Sequence, residues 1–221
     1  MSHPAVIGHR GASGRFPENT VAAFRAARSL GADWVELDVR RTADGVLAVH
    51  HDDRLPDGRA IADVLAGDLP ADVPDLVAAL VASAGLGVNV EVKPHDDVRV
   101  ADEVVDVVRA WGGEVLLSSF QPELLDRVRE IADDVPTALL LYVDPAGAID
   151  ACARAGHRAL HPWDPTVDAV LVERCHAAGL AVNVWTVDDP DRMRELAAIG
   201  VDGIVTNVPD VARAVLDAMA S

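Results

Sequence analysis

Two histidines, three carboxylates and two cations in this chain stand where apolar runs stop. The first histidine lies in Gly8-His9-Arg10-Gly11-Ala12-Ser13-Gly14, followed by Pro17-Glu18-Asn19-Thr20. The second lies in Val49-His50-His51-Asp52, and Glu36-Leu37-Asp38 stands between them. Glu91 and Lys93 close the later run Gly87-Val88-Asn89-Val90-Glu91-Val92-Lys93. A hydrophobic core has no use for such groups. Together they suit metal-assisted attack on a phosphate ester.

Each type has a reason. Glu36 and Asp38 are two apart, so on a strand both point to one face. Carboxylates aimed together raise each other's pKa unless a cation lies between them. With Glu91 they form a hard oxygen set that suits Mg²⁺ or Ca²⁺. His9 and His51 can share acid and base duty near neutral pH. His50 is the rival of His51, but alternation sends the two to opposite faces. Arg10 and Lys93 can pair with phosphate oxygens or with the acids themselves. Trp185 reads as an apolar wall for a substrate or as a packing residue at the rim. Asn19 either caps the following helix or contacts the site directly. The glycines at 8, 11 and 14 allow a tight strand exit. No GxGxxG and no Walker lysine is present, which argues against dinucleotide or nucleoside triphosphate binding.

These groups must be positioned by a scaffold, and the hydrophobic rhythm supplies one. Short apolar runs at 5–8, 33–39, 87–92, 115–118, 137–141, 159–160, 181–185 and 203–206 read as strands. Helical patterns follow at 20–31, 74–84, 97–111, 122–133, 146–155, 167–178, 190–199 and from 209. A further extended run, 46–50, follows the Asp44-Gly45 turn. About eight strand–helix units suit an α/β fold, a (β/α)₈ barrel in one domain across residues 1–221. A doubly wound open sheet is the alternative. In a barrel the C-terminal strand ends converge on one pocket, which gathers the polar residues. Residues 53–73, rich in Asp, Gly and Pro, read as a loop or small lid.

The bulk numbers narrow the class. The chain has 221 residues and a formal net charge of -17, which disfavours nucleic acid and anionic membrane partners. Cys152 and Cys175 show no metal spacing and read as buried thiols. The N-terminus lacks a charged, then apolar, leader pattern, and no apolar stretch is long enough to span a bilayer. A cytoplasmic protein is the expectation.

The ordered set of motifs resembles the glycerophosphodiester phosphodiesterase family. The carriers are Gly8-His9-Arg10-Gly11-Ala12, Pro17-Glu18-Asn19-Thr20, Glu36-Leu37-Asp38-Val39, Thr42-Ala43-Asp44-Gly45, His51-Asp52 and Val90-Glu91-Val92-Lys93. They continue with Ser118-Ser119-Phe120, Val182-Asn183-Val184-Trp185-Thr186-Val187 and the segment 200–209. The resemblance implies a (β/α)₈ TIM barrel that binds a divalent ion and cleaves a small-molecule glycerophosphodiester to glycerol 3-phosphate and an alcohol. It implies Glu36, Asp38 and Glu91 as metal ligands and His9 and His51 as the acid/base pair. It implies Arg10 and Lys93 as phosphate contacts and Trp185 as a substrate-side wall. The family's inserted subdomain after the second histidine is trimmed here, which leaves the pocket more open. The competing readings are a lysophospholipase D-type phosphodiesterase on the same barrel and a non-catalytic phosphate-binding barrel.

Overall fold

A computed structural model describes residues 3–220. Nine strands form in chain order: β1 (Ala5–Gly8), β2 (Trp34–Arg41), β3 (Leu47–Val49), β4 (Gly87–Val92), β5 (Val115–Ser119), β6 (Thr137–Leu141), β7 (Ala159–Pro162), β8 (Ala181–Val184) and β9 (Gly203–Thr206). Eight helices alternate with them: α1 (Val21–Ser29), α2 (Leu76–Ala82), α3 (Val100–Trp111), α4 (Pro122–Ile131), α5 (Pro145–Ala155), α6 (Ala169–Ala177), α7 (Pro190–Ala198) and α8 (Pro209–Met219). Eight of the strands pair in parallel, and β1 pairs with both β2 and β9, so the sheet closes into a (β/α)₈ barrel. The open-sheet alternative is thereby excluded. Among the described residues no helix is long and apolar enough to cross a membrane.

The strands are nearly continuous apolar runs because both of their faces are covered. On β2, Val35, Leu37 and Val39 are buried beneath the helical layer. Glu36 and Asp38 alternate with them and face the barrel interior. Register carries this face around the ring, with Asp38 beside Glu91, Glu91 beside Ser118 and Leu140 beside His161. Helix starts follow local chemistry. Thr20, Asp75, Asp168 and Asp189 each accept a backbone N–H at an N-cap, and Pro opens α4, α5, α7 and α8. Thr20, rather than Asn19, is the cap of α1. That leaves Asn19 free for another task.

β3 is an addition to the barrel. It pairs antiparallel with the last three residues of β2, so the chain doubles back over the mouth. This hairpin delivers His50 and His51 to the rim. Residues 53–73, expected as a loop, make two short 3₁₀ turns at Ile61–Asp63 and Ala66–Asp68. Leu55, Ile61 and Val64 pack with Ala48 of β3 in a small core of their own. The trimmed segment is therefore anchored to the hairpin.

Gly87 tests the packing of the barrel floor. It sits beside Trp34 in the β2–β4 register, and an added Cβ would overlap the indole ring. Gly87→Ala should destabilise the barrel by about 1–3 kcal/mol, the usual cost of overpacking. An unchanged melting temperature would refute this account of the contact.

Candidate active site

The acids of β2 and β4 meet at the barrel mouth. Ligand oxygens of Glu36, Asp38 and Glu91 lie within 4.8 Å of one another, and all three residues are buried. Two cations balance them. Lys93 Nζ lies 2.7 Å from Asp38 Oδ1 and 2.5 Å from Glu91 Oε1. Arg10 places Nε 3.3 Å from Asp38 Oδ2, while its backbone N–H donates to Glu36 Oε2 at 2.9 Å. Arg10 adopts a left-handed φ of 54°, which aims that N–H inward, and Gly11 completes the turn at φ 83°. Asn19, also left-handed, donates through Nδ2 to Asp38 Oδ2 at 2.7 Å. Direct site contact is thus the role of Asn19.

Burial and mutual repulsion set the protonation of the three acids apart. Burial, then the charges of Asp38 and Glu91, push Glu36 well above the usual carboxylate range. Burial, then Asp38, push Glu91 up to about 7. Burial also acts against ionised Asp38, but Lys93 and Arg10 outweigh it and hold Asp38 low. Glu36 Oε1 is buried and has no hydrogen-bond partner. An unpartnered buried carboxylate oxygen, in an all-oxygen set already gathered around an ammonium, fits a divalent cation.

The histidines flank this cluster with different partners. His9 Nδ1 lies 2.7 Å from Asn207 Oδ1, which also accepts from Ser13 Oγ at 2.7 Å. Asn207 Nδ2 donates to Asp188 Oδ2 at 2.6 Å. Only the NH₂ of an amide can donate to a carboxylate, so Oδ1 faces His9. His9 must then donate from Nδ1, which leaves Nε2 as an acceptor. Burial, then Arg10, lower the pKa of His9, favouring the neutral ring. His51 Nδ1 lies 2.7 Å from Asp52 Oδ1, and that hydrogen bond holds Asp52 low. His50 instead turns its ring to the Asp52 carbonyl at 3.1 Å. His51 lines the pocket and His50 does not, although both stand just beyond the end of β3.

His9, Arg10, Glu36, His51, Glu91, Lys93 and Trp185 line one pocket of about 80 Å³. Trp185 follows β8 and donates through Nε1 to the His161 carbonyl at 2.8 Å. Its ring meets Phe120 and Tyr142 edge-on at 5.5 and 4.9 Å, forming an apolar wall. Arg10 and Lys93 are both committed to the acids, with Arg10 NH1 also bridging Glu18 at 2.8 Å. Sequence reasoning gave no role to Asp188, Asn207, Tyr142 or Arg40. Asn207 and Asp188 lie 198 and 179 residues along the chain from His9, and only barrel closure joins them. Arg40 was within reach, because positions 36, 38 and 40 share one strand face.

Comparisons with known proteins bear on the family and the fold. The model of the glycerophosphoryl diester phosphodiesterase family matches residues 9–94 and 85–211. A glycerophosphodiester phosphodiesterase of Caldanaerobacter subterraneus subsp. tengcongensis is 32% identical over 229 residues, covering 93% of this chain and 94% of its own. A phosphodiesterase of Oleispira antarctica, solved in complex with its product sn-glycerol-3-phosphate, superposes with a TM-score of 0.92 at 26% identity, covering 97% of each chain. A glycerophosphodiester phosphodiesterase of Parabacteroides distasonis superposes with a TM-score of 0.89 at 25% identity, covering 99% of each chain. A family match across most of the chain and a relative of this identity and coverage lead to one conclusion: the chain belongs to the glycerophosphoryl diester phosphodiesterase family.

Proposed function

We propose that this chain, as one barrel domain, hydrolyses glycerophosphodiesters to glycerol 3-phosphate and an alcohol by histidine acid–base chemistry beside a divalent ion. The observation that carries the reading is a single pocket in which two histidines flank three buried carboxylates, each histidine held by a different partner at Nδ1. The relatives' names and the product bound to the Oleispira enzyme support it.

Glu36, Asp38 and Glu91 would hold the ion, and their hard oxygen set favours Mg²⁺ or Ca²⁺. When bound, the ion supplies positive charge to the phosphate oxygens. Arg10 and Lys93 border the same pocket and contact the phosphate as it arrives. His9, neutral with Nε2 open, takes the proton from the attacking oxygen, which is water or the neighbouring glycerol hydroxyl; in the second case water then opens the cyclic phosphate to glycerol 3-phosphate. His51, held at Nδ1 by Asp52, returns a proton to the leaving alkoxide. Trp185, with Phe120 and Tyr142, keeps water from one side of the substrate.

Three outcomes test the reading. His9→Ala and His51→Ala should each lower kcat by about a hundredfold or more, measured as glycerol 3-phosphate release. Near-wild-type turnover in either would remove that histidine from the mechanism. Asn207→Ala should lower kcat more than it raises KM, because it frees the His9 tautomer without touching the substrate. An equal effect on a protein with His9 already replaced would contradict that role.

The third outcome concerns the acids. Glu36 and Glu91 bind protons more tightly folded than unfolded, so their contribution to stability is present at low pH. It is lost as pH rises from the ordinary carboxylate range toward about 7. A divalent ion relieves that repulsion but must displace the protons. Added Mg²⁺ or Ca²⁺ should raise the melting temperature more at about pH 8 than at about pH 5.5, with affinity weakening up to about tenfold per pH unit below the Glu91 midpoint. A chelator should abolish turnover. Full activity in its presence would refute metal dependence.

A further inference from the structure

Beside the catalytic pocket lies a second, larger cavity of about 480 Å³. Val39, Arg40 and Arg41 of β2 form one wall, and Asp53 and 60–62 of the trimmed segment form another. Lys93, His95 and Asp96 form a third. Lys93 lines both cavities, so they flank the same side chain of the acid cluster. A phosphodiester has two arms, and they diverge from the phosphate. The smaller, aromatic-walled pocket matches a glycerol arm in size. The alcohol arm then extends into the larger cavity. His51, which would protonate that alcohol, is tied to its wall, because Arg40 Nε donates to the His51 carbonyl at 2.8 Å.

Arg40 is unlike the other cations of the mouth. Arg10 and Lys93 are committed to the acid cluster, and Arg41 is committed to Glu103 at 2.8 Å. Among the described residues, the hydrogen bond of Arg40 Nε to His51 is the one contact of its guanidinium, and its two terminal nitrogens have no partner. Asp53 exerts the largest opposing field on Arg40, yet no ion pair closes between them. The Asp96 carboxylate, on the facing loop, also has no hydrogen-bond partner among the described residues. The cavity thus presents an open planar fork of donors and two open carboxylates. A fork of this kind matches a carboxylate in two hydrogen bonds, and the carboxylates match an ammonium.

We infer that this cavity is the head-group site and that Arg40, with Asp53 and Asp96 on the other walls, selects a zwitterionic, amino-acid-like alcohol such as the seryl group of glycerophosphoserine. The inference rests on the phosphodiesterase reading above. A quaternary ammonium group finds no cage here. Among the described residues, no Phe, Tyr or Trp side chain lines this cavity, so no aromatic face is offered to such a cation.

The test compares glycerophosphoserine, glycerophosphoethanolamine and glycerophosphoglycerol as substrates of the metal-loaded enzyme. The wild type should show its highest kcat/KM for glycerophosphoserine, by roughly tenfold over the ethanolamine ester, which lacks the carboxylate. Arg40→Gln should erase that ratio, whatever it does to all three substrates through His51, and Arg40→Lys should restore part of it. Asp53→Asn combined with Asp96→Asn should narrow the gap between the ethanolamine and glycerol esters. Activity without the seryl preference, or an Arg40→Gln variant that keeps the ratio, would overturn the inference while leaving the phosphodiesterase reading intact. No glycerol 3-phosphate from any of the three would overturn both.

Discussion

The buried repulsion among Glu36, Asp38 and Glu91 is the constraint on which the rest of the site depends. Three carboxylates out of water, within 4.8 Å of one another, are tolerable only if cations and donors converge on them. The barrel arranges that convergence from separate segments. Lys93 rises from the end of β4, Arg10 turns in from the end of β1, and Asn19 reaches across from the start of α1. The left-handed backbone at Arg10 and Asn19 follows from the same demand, since both residues must aim polar groups inward at a tight strand exit. The compensation is incomplete. Glu36 Oε1 stays without a partner and Glu91 stays near neutrality in its titration. An incomplete balance of this kind is what the proposed divalent ion would complete.

The same mouth gives two chemically equal side chains unequal partners. His9 is buried and answers to a neutral amide, whose orientation a carboxylate fixes one bond further out. His51 is nearer to solvent and answers to a carboxylate directly. At His9 burial, then Arg10, favour the neutral ring against the pull of the Asn207 amide oxygen that orients it. This difference in partners underlies the proposed acceptor and donor roles. It arises from which barrel strand each histidine sits beside: His9 meets the exit of β9, and His51 rides on the β2–β3 hairpin.

That hairpin also governs how open the pocket is. The segment after His51 is short, and its apolar residues are spent on anchoring itself to β3 through Leu55, Ile61 and Val64. The space beside the acids is bounded by the end of β2, by Asp53 and 60–62 of this segment, and by the β4–α3 connection. Surface charge follows the same pattern. With a net charge of -17, an uncommitted arginine at the mouth stands out against its surroundings.

Much of this was legible in the chain itself. The alternation of apolar runs gave eight strand–helix units, and β4, β6 and β9 have the expected ends because turn residues bound them. The two-residue spacing of Glu36 and Asp38 placed both on the inner face of β2. Such readings succeed because a strand's period is local. Asn19 stayed ambiguous in the sequence, since capping and ligand contact both use a small polar residue at that place. The partners of His9 were beyond reach, because Asn207 and Asp188 come near only when β1 closes against β9. Which cations are spent and which are free was decided by tertiary structure as well. Arg10, Arg40 and Lys93 are alike as sequence symbols, and only the positions of the carboxylates around them leave Arg40 open.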